Sequence, residues 1–385
     1  MAEPEAGRVR DGRRIVVLGG GVLGLSTALE LLRGGAEVLL VTESEVGSGA
    51  SGRSLSWLNA GGNYAEPYFR LRMAGIDRYR TLLAQNPEAD WLAFGGGLYW
   101  DDDPFVVIER HNAQTRRGYE ARMLERDDAA AQVPGIDPGV LPHRVLANPG
   151  EGWVSLPHLV AGMAGKFTML GGTLIEHAGL CTVLGGNGGN GGPVGGIRTA
   201  AGRDYRSDAV VLACGAGTPA VLAAVGIELP DASDPAMLLI SRPLQHGLRT
   251  VLNTPRISLR PHPGGRLAMD HTWYLDRVTQ NADGSWDVDE GIFAEVAAEA
   301  SRLLAGNPEV AVEAWQPGLK PVPGDGEPVF GELQALPGCW VLFTHSGATL
   351  GLIGGELAAG EILTGRRHPL LESFRPERFG YGWES

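Results

Sequence analysis

The chain has few cysteines, no long apolar run and fewer basic than acidic residues, and each shortage excludes a class of protein. Its three cysteines, Cys181, Cys214 and Cys339, stand far apart without a C-x-x-C pair, so we expect neither a disulfide framework nor a metal site. No uninterrupted apolar span reaches the roughly 18 residues of a membrane-spanning helix. The formal charge of -13 opposes binding to nucleic acid or to an anionic membrane.

What remains is typical of a globular protein. At 385 residues the chain can form one large core or two moderate ones, and two domains are the better expectation. The start, Met1–Arg14, is polar and mixed in charge rather than a signal peptide, and we expect it to be a flexible tail. Together with the sparse cysteines, this favours a cytoplasmic location.

The most informative segment joins an apolar run, a glycine-rich turn and an amphipathic helix between Ile15 and Arg33. Its G-x-G-x-x-G pattern places Gly19 at a tight turn, Gly21 where backbone amides can approach a pyrophosphate, and Gly24 where the helix packs on the strand. The spacing predicts a helix over Val22–Arg33. The segment therefore predicts a dinucleotide site, at which the amides of Val22 and Leu23 also lie.

A second strand and an acidic residue complete this unit. Glu37–Val41 is the predicted strand, and Glu43 follows at the spacing of roughly 20 residues where a carboxylate binds a ribose hydroxyl. A glycine-rich turn in an unrelated α/β domain is the structural alternative. A nicotinamide dinucleotide is the alternative cofactor.

Later segments alternate between strands, helices and glycine-rich turns. The strand Asp208–Ala213 leads into the second strand-to-glycine junction, which contains Gly215 and Gly217, and Arg256–Asp270 has the pattern of a hairpin. A pair of strands is expected within Thr173–Val183, ahead of a flexible glycine-rich hairpin tip at 185–192. A buried strand is expected at Cys339–Phe343. Helical periodicity predicts four further helices, over Tyr68–Leu83, Leu159–Leu170, Phe293–Leu304 and Leu350–Leu363.

Three separated segments resemble the flavin-dependent amine oxidoreductases related to D-amino acid oxidase, glycine oxidase, sarcosine oxidase and D-amino acid dehydrogenase. They are Gly19–Glu43, Ala209–Gly217 and Gly318–Gly365. Within the last, Gly318-Leu319-Lys320-Pro321 through Gly331 is similar to the family segment G-L-R-P-x-T-P-D-G-x-P-x-I-G, and Thr344–Leu352 is similar to its His/Gly-rich turn before a helix. The resemblance covers nearly the whole chain and is weakest between Asp101 and Gly150.

The resemblance implies an α/β fold with a Rossmann-like FAD-binding domain built from discontinuous segments. An inserted α+β substrate domain based on an antiparallel sheet is expected beside it. The expected boundaries are 1–14 for the tail, 15–88, 150–226 and 315–385 for the FAD-binding domain, and 89–149 and 227–314 for the substrate domain.

The resemblance also implies a set of FAD contacts. Ser51, Arg53 and Ser54 would bind the pyrophosphate and ribityl chain, while the helix start Gly347, Ala348, Thr349 and Leu350 would face the negative charge of a reduced flavin. The alternative for Arg53 is a surface ion pair. Because Trp315–Gly318 lacks the thiol by which some sarcosine oxidases bind flavin, we expect noncovalent FAD and a core position for Cys339.

For the reaction, the resemblance implies oxidation of a C–N bond in a small amine or amino acid. The substrate would be a D-amino acid, a compound similar to glycine or sarcosine, or a cyclic secondary amine, and its hydride would move to flavin N5 to leave an imine. Oxygen or another acceptor would then take the electrons, with oxidase and dehydrogenase both open. The alternatives are a flavin dehydrogenase of a hydroxy acid and a noncatalytic flavoprotein subunit of a heteromeric oxidase.

The substrate site departs from the family pattern at one position. The family arginine that binds the substrate carboxylate is replaced by Lys320, which offers a point charge without a planar fork. Carboxylate binding could stay with Lys320, move to Arg260, or be absent because the substrate is an uncharged amine. Arg260 could equally be a structural surface residue. His345 could line the flavin or cap the last helix, and Trp153 could fill either the pocket or the core.

Overall fold

The computed structural model describes residues 12–185 and 192–380, and its internal contacts divide them into two units. The first unit gathers the described residues of Met1–Ser51, Pro157–Asp234 and Lys320–Ser385, and the second those of Gly52–Leu156 and Pro235–Leu319. The sequence groups residues 52–88 with the nucleotide fold, whereas their contacts place them in the second unit.

Twenty-two strands and eight α-helices are formed by the described residues. The strands are β1 Arg14–Leu18, β2 Glu37–Val41, β3 Trp57–Leu58, β4 Leu92–Ala93, β5 Gly97–Tyr99, β6 Arg122–Glu125, β7 Arg144–Asn148, β8 Gly152–Val154, β9 Thr173–Ile175, β10 Thr182–Gly185, β11 Val194–Arg198, β12 Asp204–Arg206, β13 Ala209–Leu212, β14 Asp234–Ser241, β15 Val251–Asn253, β16 Ser258–His262, β17 Arg266–Asp270, β18 Val278–Gln280, β19 Trp286–Val288, β20 Val312–Lys320, β21 Val329–Glu332 and β22 Cys339–Phe343. The helices are α1 Val22–Arg33, α2 Glu66–Gln85, α3 Pro104–Arg116, α4 Arg126–Gln132, α5 Leu156–Met169, α6 Thr218–Ala223, α7 Gly291–Leu303 and α8 Gly347–Thr364.

The first unit is built on a six-stranded sheet in the order β21-β22-β13-β1-β2-β9. Strand β1 pairs in parallel with β2 and β13, and only β21 runs antiparallel to its neighbour. The central strands are continuous apolar runs, as expected for a parallel sheet that is covered on both faces. The predicted bounds of α1, β2 and β22 agree with the structure.

Helix α8 packs on α1 along a row of glycines. A Cβ at Gly354 would lie 3.2 Å from Leu23 Cδ2, and a Cβ at Gly351 or Gly355 would press into Val22 or Ser26. The Ser26 hydroxyl donates to the Leu352 carbonyl at 3.1 Å. The small residues therefore let the two helix backbones approach closely.

Two expectations about this unit are wrong in part. Arg14 belongs to β1, and the Arg13 guanidinium donates to the carbonyls of Ile362 and Leu363 at 2.7 and 2.6 Å, so the end of the expected tail is held by the last turn of α8. Residues 1–11 lie outside the described residues. Strands β9 and β10 belong to different sheets rather than forming a pair. Strand β10 pairs instead with β11, and residues 186–191 of the expected hairpin tip are not among those described.

The second unit contains an eight-stranded sheet in the order β20-β14-β17-β16-β15-β5-β7-β6. The predicted hairpin is confirmed as β16 and β17, which are antiparallel and joined by a turn whose Gly264 and Gly265 have φ of 75° and 69°. Alternate residues such as Leu259 and Met269 face the core that also contains α7. The opposite face carries Arg260, because successive side chains alternate across a sheet.

Two further observations concern the class of protein that the sequence predicts. No helix among the described residues is both long and apolar enough to cross a membrane. Cys181, Cys214 and Cys339 are free thiols, and Cys339 lies fully buried in the core of the first unit, as expected.

We expect Gly355→Ala to lower the thermal unfolding midpoint, because its methyl group would press on Ser26 and on the Thr27 backbone. Overpacking of this kind costs about 1–3 kcal/mol. Gly360→Ala is the matched control on the same helix. Gly360 is exposed and has no atom within 4 Å of its Cβ position, so alanine should stabilise the helix by up to about 1 kcal/mol. Equal shifts in the two variants would contradict the packing described.

Candidate functional site

The glycine turn after β1 has the geometry that the sequence predicts. Gly19 has φ of 112°, its amide donates to the Val41 carbonyl at 2.8 Å, and a Cβ there would collide with the Ala213 carbonyl. A Cβ at Gly24 would collide with the Gly19 carbonyl and lie 3.5 Å from Ala213 Cβ. Because both positions exclude a side chain, α1 begins directly at the carboxyl end of β1.

The start of α1 presents open backbone. Gly21 is its N-cap residue and supplies no side-chain cap, and a Cβ there would have only Ser51 Oγ within 4 Å, at 3.2 Å. The Val22 amide donates to that Ser51 hydroxyl at 3.0 Å. Gly21, Val22 and Ser51 therefore form a small polar cradle at the positive end of the helix dipole, where a pyrophosphate would fit.

Helix α8 begins beside α1. A Cβ at Gly347 would lie 3.9 Å from Val22 Cγ1, so the N-terminal turns of both helices meet in the first unit. The N-cap residue, Ser346, gives no side-chain cap. The predicted set Gly347, Ala348, Thr349 and Leu350 forms the first turn of α8. Two aligned helix N-termini suit an anionic group such as a diphosphate or a reduced flavin.

The predicted ribose contact lies at the same edge of the sheet. Glu43 is exposed two residues after β2, and its charge helps to raise the pKa of Cys181 and Cys214, although burial is the larger cause in both. Gly215 has φ of 57°, and a Cβ there would have no atom within 4 Å, while a Cβ at Gly217 would have only Cys214 Cβ, at 3.8 Å. Open space therefore lies beside the backbone of Gly215 and Gly217, just after the carboxyl end of β13.

In the second unit, Arg53 and Ser54 precede β3. Arg53 packs against Gly318, whose Cβ position would be occupied by the guanidinium, and burial lowers its pKa. This contact explains the glycine that opens the Gly318-Leu319-Lys320-Pro321 motif. The Ser54 hydroxyl accepts from the Ser56 amide at 3.0 Å.

The most unusual group of this unit is Arg260, which is 1% exposed. The surface position considered from the sequence is therefore wrong, because the side chain is enclosed between β16 and the segment that contains Leu55. Its Nε donates to the Leu55 carbonyl and its Nη1 to the Pro261 carbonyl at 2.8 Å. Burial lowers its pKa, which Asp270 partly offsets.

Trp153 covers Arg260. Its ring centroid is 5.0 Å from the guanidinium carbon, and the side chain is 4% exposed. The Trp153 indole N–H is buried without an acceptor among the residues described. A buried cation, whose charge Asp270 offsets in part, and a buried N–H donor thus lie side by side, an arrangement that suits a carboxylate.

The other predicted substrate residues are less enclosed. Lys320 is half-buried at the end of β20, and His345 is exposed just before the N-cap of α8. His262 is half-buried, with Nδ1 3.4 Å from Arg260 Nη1. The structure therefore does not bring Lys320 or His345 into an equally buried setting, and their roles stay predictions.

Sequence reasoning missed a buried polar network around Glu151, which is 0% exposed. The Tyr119 hydroxyl donates to Glu151 Oε1 at 2.7 Å and accepts from the Ala60 amide at 3.0 Å. Nearby, Asn148 donates to Gln114, which donates to the Gly61 carbonyl, both at 2.7 Å. The one sequence signal is a charged residue set between Gly150 and Gly152 at the start of an apolar strand.

Comparison with known proteins identifies the family of the chain. The family model described as FAD dependent oxidoreductase (DAO) matches residues 14–361. The chain is similar to glycine oxidase of Pseudomonas aeruginosa, with 27% identity over 93% of this chain and 96% of that protein, and to an opine oxidase subunit of Agrobacterium tumefaciens, with 24% identity over 95% and 97%. Its fold is similar to that of L-amino acid deaminase from Proteus myxofaciens, with a TM-score of 0.81 at 18% identity, covering 98% of this chain and 96% of the other.

The protein belongs to this family of FAD-dependent oxidoreductases, since the match spans most of the chain. Its cofactor is FAD, and the α/β fold with separate sheets agrees with the expectation. The open cradle at Gly21 and Ser51 fits the cofactor's diphosphate.

We expect Gly24→Ala to weaken FAD binding, because the added methyl group would push α1 away from the Gly19 carbonyl. A cost of about 1–3 kcal/mol raises the dissociation constant about tenfold or more. Titration of the FAD-free protein with FAD, followed by flavin fluorescence, measures it. Gly162→Ala on α5 is the control, because its Cβ position is open. An unchanged FAD affinity in Gly24→Ala would contradict the assigned turn.

Proposed function

We propose that this protein oxidises the C–N bond of a small amino acid to an imine. Bound FAD supplies the two-electron acceptor that takes a hydride from the substrate α carbon. The nitrogen loses a proton, so an imine is left that water can hydrolyse. The relatives named glycine oxidase and opine oxidase support this reaction class, and no protein base is required of the chain for it.

Arg260 is the observation that carries the proposal. A buried guanidinium is costly, and a ligand carboxylate would compensate the charge that Asp270 offsets only in part. Its Nε and Nη1 already donate to the carbonyls of Leu55 and Pro261. These two hydrogen bonds fix the plane of the guanidinium group. Such a fixed fork binds a carboxylate with direction as well as charge.

The surrounding residues define the shape of this anchor. The free indole N–H of Trp153 offers a second donor beside the guanidinium. Leu238, Ala268 and Leu55 form an apolar cluster on the same part of the second unit, which suits a small aliphatic substrate rather than a charged side chain. Of the three alternatives for carboxylate binding, we therefore favour Arg260 over Lys320 and over an uncharged amine.

In the same proposal, Gly19, Gly21, Val22, Gly24 and Ser51 bind the diphosphate. The remaining predicted cofactor residues keep their expected roles: Leu23, Glu43, Arg53, Ser54, Gly215, Gly217, and Gly347, Ala348, Thr349 and Leu350. His345 would lie beside the flavin. FAD would be noncovalent, oxygen or another acceptor would take the electrons, and a cytoplasmic location would suit the three free thiols.

A second candidate is a flavoprotein subunit that works only within a heteromeric oxidase. The similarity to the opine oxidase subunit over nearly the whole of both chains favours it. The purified chain distinguishes the two, because a subunit that needs a partner would not be reduced by amines alone.

We expect glycine or another small amino acid to bleach the flavin absorbance of the purified holoenzyme under anaerobic conditions. The matching hydroxy acid should leave it unchanged, because the imine forms by electron push from nitrogen. Stopped-flow absorbance measures both. Bleaching by the hydroxy acid alone would contradict the proposal, and bleaching by neither would favour the partner-dependent subunit.

We expect Arg260→Met to raise KM for the amino acid substrate about tenfold to a hundredfold. A hydrogen bond to a charged group contributes about 1.5–3 kcal/mol, and about 1.4 kcal/mol corresponds to tenfold. Arg256→Met is the matched control, because Arg256 lies just before the same hairpin but contacts Glu299 at 3.2 Å and the Trp273 ring. A normal KM in Arg260→Met would remove the anchor from the proposal.

A further inference from the structure

The segment from Leu55 to Gly61, here called the Leu55–Gly61 strap, is held at both ends by buried side chains. At one end the Leu55 carbonyl accepts the Arg260 guanidinium. At the other, the Ala60 amide donates to Tyr119 and the Gly61 carbonyl accepts from Gln114. Between them, Ser56 adopts φ of 57°, a conformation uncommon for a side-chain-bearing residue.

Glu151 connects this strap to the tryptophan above Arg260. Its carboxyl accepts from Tyr119 at 2.7 Å, and the Trp57 indole lies near enough to lower its pKa. Trp57 is the cross-strand partner of Trp153 in the β3–β8 pair, and Glu151 directly precedes β8. The buried carboxyl therefore lies beside both strands of the β3–β8 pair, of which Trp153 covers the proposed anchor.

The sheet relates Glu151 to Arg260 in space. A Cβ at Gly97 would collide with Glu151 Oε2, so the carboxyl lies over β5. Strand β15 lies between β5 and β16, and its Val251 pairs with Gly97. The backbone of Gly97, over which the Glu151 carboxyl lies, is thus two strand spacings, about 10 Å, from the backbone of Arg260. A negative charge on Glu151 would therefore repel an anion bound at Arg260.

We propose that Glu151 is a positioning residue that holds the Leu55–Gly61 strap and the Trp57–Trp153 pair over Arg260, and that its neutral form favours a bound carboxylate. This inference rests on the proposed carboxylate anchor. Protonated Glu151 keeps the strap in place without adding a negative charge beside the ligand. The deprotonated form carries a negative charge and repels the ligand carboxylate.

The surroundings make this protonation change accessible near neutral pH. Burial raises the pKa of Glu151 to about 7, opposed by the hydrogen bond from Tyr119, the charges of Arg110 and Arg72, and the nearby Trp57 indole. Tyr64 also faces the carboxyl. Tyr119 and Tyr64 have raised pKa values themselves, mainly through burial, so neither titrates in this range. Near Arg260 itself, Asp270 and His262 are the charged or titratable neighbours.

The test measures acetate binding to the holoenzyme by isothermal titration calorimetry between pH 5.5 and 8.5, a range chosen around the ordinary pKa of histidine and the raised value of Glu151. In the wild type, the dissociation constant should rise about threefold to tenfold as pH rises through 7, as expected for two like charges about 10 Å apart. Glu151→Gln should bind acetate with the affinity of the low-pH wild type at every pH. His262→Gln should keep the rise.

Tyr119→Phe provides an independent variant. It removes a hydrogen bond that lowers the Glu151 pKa, so the midpoint of the acetate profile should move to higher pH. If Glu151 served only the fold, Tyr119→Phe would leave the midpoint of the acetate-binding profile unchanged.

The outcomes separate this inference from the function on which it rests. If Glu151→Gln keeps the wild-type profile, or if His262→Gln abolishes it, the role of Glu151 is wrong while the anchor stands. If acetate binds Arg260→Met as well as the wild type, or does not bind the wild type, the anchor is wrong and the inference fails with it.

Discussion

Helix α1 lies against the turn that precedes it because neither Gly19 nor Gly24 has a side chain. The same device recurs in α8, where Gly351, Gly354 and Gly355 admit the side chains and backbone of α1. The two helices consequently begin side by side at the carboxyl edge of the parallel sheet. The close approach of the two helix starts depends on these glycines, since larger residues at these positions would push α1 and α8 apart.

The second unit has a different constraint, which is electrostatic. Its eight-stranded sheet packs one face into an apolar core and uses the other to bury Arg260. The guanidinium donates to two backbone carbonyls, and Asp270 offsets its charge only in part, which is the basis of the proposed carboxylate anchor. In the proposed account, the protonation state of Glu151, which lies over β5 on the same sheet, adds to or removes from the negative charge near this anchor.

The sequence predicted the first unit better than the second. The bounds of α1 and β2 follow from apolar periodicity and glycine spacing, which are local signals, and the structure confirms them. The placement of residues 52–88 and the separation of β9 from β10 could not be inferred, because they depend on contacts between distant segments. Arg260 was identified as a candidate, but its burial depends on Leu55 and Trp153, both far away in the chain. Glu151 carried no motif, since its partners Tyr119 and Trp57 come together only in the fold.

The most direct test of the account is a crystal structure of the holoenzyme with a bound amino acid. We predict the FAD diphosphate at the amides after Gly21, and the ligand carboxylate within hydrogen-bond distance of the Arg260 guanidinium and the Trp153 indole N–H. A ligand carboxylate bound by Lys320, with Arg260 still enclosed and not in contact with it, would contradict the account.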